Sequence, residues 1–122
     1  MANRRMLSKS ISVSIQVNRL STNAKLLFTW MIAHADDDGR LKGEAEYIRA
    51  IVVPMLNWSE EEVNGYLEEM KAQELIYLWE KWDQRFIEFV KWSNHQQIRK
   101  DRYTPSYIPE YNKDDNHMST NG

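Results

Sequence analysis

At 122 residues, 42% apolar and 28% charged, the chain is sized for one domain, and five Trp, six Tyr and three Phe supply large side chains for its interior. The absence of cysteine excludes disulfides, thiolate catalysis and Cys-ligated zinc, and fits a reducing compartment. The formal net charge of −2 is silent about a polyanionic partner, and neither a bilayer-spanning apolar run nor a signal-peptide core is present, so a cytoplasmic protein without membrane contact is expected.

The charge is unevenly spread. Residues 1–25 carry Arg4, Arg5, Lys9, Arg19 and Lys25 and no acid, whereas residues 57–80 carry seven Glu against Lys71. Residues 85–102 return to a positive excess, with Arg85, Lys91, Arg99, Lys100 and Arg102 against Glu88 and Asp101. Two basic stretches around an acidic middle form one face if they meet in space.

Residues 1–20 read as a basic arm with a short strand or turn. Ile11, Val13, Ile15 and Val17 alternate with polar residues, as a half-buried strand does, although Ser-Ile-Gln-Val-Asn-Arg suits a helical turn equally. Ser21 is an N-cap, and the spacing of Ala24, Leu27, Phe28, Met31, Ile32 and Ala35 predicts a helix with one apolar face. Asp36-Asp37-Asp38-Gly39 ends it as a solvated acidic turn. Tyr47, Ile48, Ile51, Val52 and Met55 predict a second helix of about ten residues, ended near Pro54. Ser59 and Glu62 form a capping box that opens a third, with Val63, Tyr66, Leu67 and Met70 as its buried stripe and Gly65 costing it about 1 kcal/mol.

The period then changes to two. Leu75 to Glu80 and Phe86 to Trp92 read as strands joined through a hairpin tip at residues 81–85, whose lack of Gly leaves the register open. In the extension at residues 93–122, Tyr107 and Ile108 are expected to dock on the body while Pro105 and Pro109 keep the chain extended. Asn112 to Gly122 is expected to be disordered. Interleaving of Arg99, Lys100 and Arg102 with Tyr103, Tyr107 and Tyr111 also suits stacking on unpaired bases. The order of elements is that of an α+β winged helix-turn-helix, three helices plus a two-stranded β-hairpin wing, with the domain at residues 21–92.

Enzymatic motifs are missing. None of the four Gly lies in a phosphate-cradling pattern, and there is no nucleophile elbow. A calcium loop counted from Asp36 would place Tyr47 where its Glu belongs, and His95 and His117 are isolated. Asn57-Trp58-Ser59 matches a glycosylation pattern but reads as the approach to the helix cap. No catalytic, cofactor-binding or metal-ligating residue is assigned.

The stretch Met6-Leu7-Ser8-Lys9-Ser10-Ile11-Ser12, followed by Val17-Asn18-Arg19-Leu20-Ser21, Ala24 to Trp30, His34-Ala35-Asp36-Asp37 and Gly39-Arg40-Leu41, resembles the N-terminal domain of phage and prophage replication proteins. These are the replisome organisers, or DnaD-like replication initiators. The similarity continues through Val52-Val53-Pro54-Met55-Leu56 and returns at Lys91-Trp92, His95-Gln96 and Ile98. It implies a winged helix acting in phage-type DNA replication initiation in a bacterial or infected-cell cytoplasm. The partners implied are DNA, duplex ahead of single strands, with replication proteins or a helicase loader and a second copy of the chain as further candidates.

Duplex DNA is held chiefly by releasing its condensed counterions to Lys and Arg, and helix three offers Glu60, Glu61, Glu62, Glu68 and Glu69 instead. The expected DNA-binding set is therefore Arg4, Arg5 and Lys9 of the arm, Lys81 and Arg85 of the wing tip, and Arg99, Lys100 and Arg102 beyond it. Asn64 is added as a residue able to pair with adenine. These cations are expected to converge beside the hairpin tip. The alternative is a protein-interaction or self-assembly module of a phage replication complex, which the acidic helix and aromatic hairpin would suit.

Overall fold

Hydroxyl caps open the first helical turns. Ser8 Oγ accepts from the Ser10 N–H ahead of a 3-10 turn at Lys9–Val13, and Ser14 Oγ accepts from the Val17 N–H at 3.2 Å to start α1, Ile15–Asn18. Of the two readings open for these residues, half-buried strand or helical turn, the structure has the helical turns. Val17 is buried but Val13 and Ile15 are 79% and 68% exposed, so their alternation marks no sheet face. Serine side chains bonding the local backbone compete with strand pairing and prevail. The computed structural model describes residues 4–113, so His117 and nearly all of the stretch expected to be disordered lie outside the described residues.

Ser21 Oγ caps the Ala24 N–H at 3.3 Å, and α2, Thr22–His34, buries Ala24, Leu27, Phe28 and Met31 as its spacing predicts. Asp36 Oδ1 then accepts from the Asp38 and Arg40 N–H groups, both at 3.0 Å, and Gly39 takes φ +79°. That left-handed backbone, open to glycine, turns the chain into β1, Arg40–Lys42. An added Cβ at Gly39 would stand 2.5 Å from the Trp92 indole, so the position excludes a side chain twice over.

The second helix is shorter than its pattern suggests. It comprises α3, Ala45–Tyr47, running on as a π-helical turn at Ile48–Val52 that closes from the Val53 N–H to the Ile48 carbonyl at 3.1 Å. Pro54 has no N–H with which to extend an α-type ladder. The wider turn rotates the apolar face, burying Ile48, Val52 and Val53 while leaving Ile51 and Met55 46% and 91% exposed. The capping box forms as predicted, Ser59 Oγ accepting from the Glu62 N–H and Glu62 from the Ser59 N–H, and opens α4, Glu60–Ala72. Val63, Leu67 and Met70 of its stripe are fully buried, and Tyr66 packs edge-on against Trp58.

The strands β2, Ile76–Lys81, and β3, Gln84–Phe89, form the hairpin, and β1 pairs with the free side of β3. The sheet is thus three-stranded and antiparallel, in the order β1-β3-β2, rather than two-stranded as expected. Leu41 is the sole buried residue of β1, too little to leave an alternating signal. Lys81 pairs with Gln84 across a two-residue turn in which Trp82 and Asp83 have φ 57° and 59°, the type I′ geometry that matches sheet twist.

Leu41, Ile76, Leu78, Ile87 and Phe89 point from one sheet face into the helical core. On the other face Trp79 and Phe86 are covered by Ile108, with Tyr111 packed beside them and stacked on Tyr77 at 4.4 Å. The extension docks through Ile108, 2% exposed, while Tyr107 remains 72% exposed. The architecture is α+β, and no helix among the described residues is long and apolar enough to cross a membrane.

Candidate nucleic-acid interface

At the root of the hairpin, the end of β3 away from the turn, the Asp36–Gly39 turn receives both ends of the chain. Asp37 is buried, its side chain and that of its partner Arg5 each 3% exposed. Its Oδ1 accepts from Arg5 Nη2 at 2.7 Å, its Oδ2 from the Thr104 N–H at 2.8 Å, and its carbonyl from Trp92 Nε1 at 3.0 Å. Burial pushes the Asp37 pKa up, but the Thr104 N–H and the Arg5 guanidinium outweigh it and hold the carboxyl below the usual carboxylate range. Arg5 also donates to the Ala35 carbonyl at the end of α2 and lies 5.6 Å from the centre of the Trp92 ring.

The neighbouring aspartates continue the clasp. Asp38 accepts from the Tyr103 hydroxyl at 2.8 Å, which raises the Tyr103 pKa, and from the Ser106 N–H at 2.9 Å. Asp36 accepts from the Ser106 hydroxyl. Beyond it, Arg40 donates to the Ile108 carbonyl at 3.0 Å and to Glu88 at 2.8 Å. The acidic turn is therefore a docking hub and not the solvated loop its composition suggests. Among the described residues no group of three or more His, Asp or Glu is placed to hold a metal ion.

The clasp brings cations together. Arg4, Arg99 and Arg102 border a concavity of about 640 Å³ together with Gln96 and Gln97, and the Arg5–Asp37 pair forms part of its wall. Gln96 ties the two segments directly, accepting from the Met6 N–H at 3.0 Å and donating to the Met6 carbonyl at 2.7 Å. Arg99 reaches Asp101 at 3.2 Å, but both side chains are more than 60% exposed, so that pairing is weak and leaves the guanidinium open to exchange. Lys100 is exposed between them on a 3-10 turn, Lys100–Arg102.

The other predicted residues are placed differently. Arg5 is spent internally, its side chain only 3% exposed. Arg85 and Asn64 do meet, but each occupies the other: Arg85 Nη1 donates to Asn64 Oδ1 at 2.7 Å, while the Arg85 N–H donates to Glu44. Lys81 lies 5.2 Å from the centre of the Trp82 ring. Arg85 is four residues, or about 13 Å, along β3 from Phe89 at the root. The predicted cations thus form a root group of Arg4, Arg99 and Arg102, with Lys100 exposed next to it in the chain, and a separate tip group. Lys9 is exposed at the start of its 3-10 turn.

Helix α4 keeps its acidic surface. Glu69 is committed to α2, accepting from the Ser21 N–H and hydroxyl at 2.7 and 2.8 Å, and Glu60 reaches Arg49 at 3.6 Å. Glu61 and Glu68 remain exposed and would face phosphates with like charge. Of the tyrosines of the extension Tyr111 is packed on the sheet, while Tyr103, its hydroxyl held by Asp38, and Tyr107 keep exposed rings. From the sequence, Asp37 falls in an acidic turn, and Trp92 and Gln96 enter only as the end of a strand and within the resemblance; none of the three is assigned to the site there. No family model matches the chain, and comparisons with curated proteins and with solved structures find no match.

Proposed function

We propose that the chain is a winged-helix protein of phage-type replication initiation that binds duplex DNA without chemistry, through the arginines at the root of its hairpin. The observation that carries this is the gathering of Arg4, Arg99 and Arg102 around one concavity from opposite ends of the chain. The succession of α2, β1, α3, α4 and a hairpin, with β1 against β3, supports the winged-helix reading. The resemblance of the residue blocks from Met6 to Ile98 to those of phage replication proteins supports the biological setting. The grip differs from groove reading by α4, whose glutamates would repel the backbone. The alternative, an assembly module that does not touch DNA, is favoured by those same glutamates and by Trp82, 65% exposed at the hairpin tip.

Fluorescence anisotropy with labelled duplex and single-stranded oligonucleotides across a salt series tests the reading. Arg4, Arg99, Lys100 and Arg102 imply a log–log salt slope of about −3 to −4 on duplex. Arg99→Ala with Arg102→Ala should lower affinity about tenfold or more and make the slope shallower by about two. Lys81→Ala with Arg85→Ala should change it far less. No binding at low salt, together with a mass that rises with concentration in light scattering, would replace DNA binding by the assembly reading.

A further inference from the structure

The two segments that carry the root arginines have little regular structure of their own at the cleft: residues 4–8 and 95–99 run outside helices and strands, and Arg102 ends the 3-10 turn Lys100–Arg102. Arg4 and Arg99 come from opposite ends of the chain, so nothing local sets their separation. What joins them is the hub, together with the Gln96 amide bonded to the Met6 backbone. Arg5, next to Arg4, is seated on the Asp37 carboxylate; Thr104, two residues after Arg102, is held by the other oxygen of that carboxylate; and Trp92, which leads into the segment of Gln96 to Arg99, is held by the Asp37 carbonyl.

We propose that Asp37 is a positioning residue for the DNA-binding cleft, an acid that creates a cationic site by fixing arm and extension in one geometry. This rests on the DNA-binding reading above. Asp37 lines the cleft but offers a ligand no free oxygen, because Arg5 and Thr104 occupy both. Its effect is pre-organisation: two segments ordered during folding need no ordering when DNA arrives, and the arginines meet the backbone as a set.

Charge counting and positioning predict opposite signs. Asp37→Asn removes a negative charge beside a phosphate site, which by Coulomb attraction alone would tighten DNA binding. The positioning role makes the same variant bind more weakly, because the arm is released and Arg4 leaves the set. Duplex affinity of Asp37→Asn at low salt is expected to fall about tenfold, with the salt slope shallower by about one, the contribution of one phosphate contact. Hydrogen exchange of the Met6 amide, which Gln96 holds in the ordered arm, should accelerate. Arg5→Lys, which keeps the charge and loses the forked contact with Asp37 and Ala35, should move affinity and exchange in the same direction.

Leu67→Ala is the control for stability alone: it hollows the core under α4, remote in function from the hub, and should leave the salt slope unchanged. Circular dichroism establishes that each variant is folded, and if Asp37→Asn is not, Arg5→Lys decides by the same criteria. An Asp37→Asn protein with a released arm that binds duplex as tightly as the wild type, or more tightly, overturns the inference while leaving DNA binding intact. A wild type that binds no duplex removes the underlying reading itself, and the inference with it.

Discussion

The two ends of the β2–β3 hairpin carry similar residues and use them in opposite ways. At the tip, Arg85 is bonded to Asn64 and Lys81 lies against Trp82, so cations are absorbed into the hairpin and its contact with α4. At the root one arginine, Arg5, is absorbed by a buried aspartate, and Arg4, Arg99 and Arg102 are left around the concavity. A local charge count sees no difference between them. What separates them is which cation has a partner of matching geometry, and at the root that partner comes from a turn more than thirty residues away from Arg5 along the chain.

The largest effect is expected where the root is most tightly built. Gly39→Ala would force an L-residue into φ +79° and drive its Cβ to within 2.5 Å of Trp92, whose indole is held by both Asp37 and Arg5. Adding the backbone strain to the displacement of a packed aromatic ring gives a loss of about 3 kcal/mol, read as a fall in urea midpoint at constant m. A loss below about 1 kcal/mol would show that Trp92 can move aside and that the root is no more rigid than the tip.

That contrast also separates what the sequence made legible from what it did not. Ser21, the Ser59–Glu62 box, the stripe of Val63, Leu67 and Met70 and the break at Gly39 are all local signals, and each corresponds to an element in the structure. Their bonds span three or four residues, so adjacent letters suffice. The arm stayed open between strand and helical turn because Ile11 to Val17 alternates by composition while Ser8 and Ser14 cap helical turns, two local rules in conflict within one stretch. The root cleft was illegible for another reason: Asp37 bonds to residues 32 and 67 positions away, and no pattern in either segment announces the other. The cations themselves were visible as residues, but their division between a paired tip and a gathered root was not.

Acid should dissect the same contrast. The Asp37 carboxyl titrates below its ordinary range in the folded chain, so its contribution to stability is complete above the unfolded value of about 4 and is lost as the pH falls through the lower folded value. From pH 7 down past the ordinary carboxylate range the Thr104 amide resonance should hold its position, and it should move only as the pH falls through the lower folded value, when the carboxylate is protonated and the clasp opens. The Gln84 amide, in the β2–β3 ladder beside the tip turn, should keep its position when Thr104 moves. Simultaneous movement of both would mean that acid unfolds the domain as a whole, with no separate opening at the root.

The smallest effect is expected at the tip, and it is informative because its sign is favourable. Trp82 and Asp83 occupy the two left-handed positions of a type I′ turn, for which Asn-Gly is the preferred pair, and a bulky residue there stores strain. Replacing them by Trp82→Asn and Asp83→Gly should raise stability by about 1 kcal/mol while removing the most exposed tryptophan of the hairpin. If the root arginines carry DNA binding, duplex affinity and salt slope are unchanged in this more stable protein. If affinity falls tenfold despite the gain in stability, the strain at Trp82 is maintained for contact with the ligand, and the tip rather than the root is where the DNA is held.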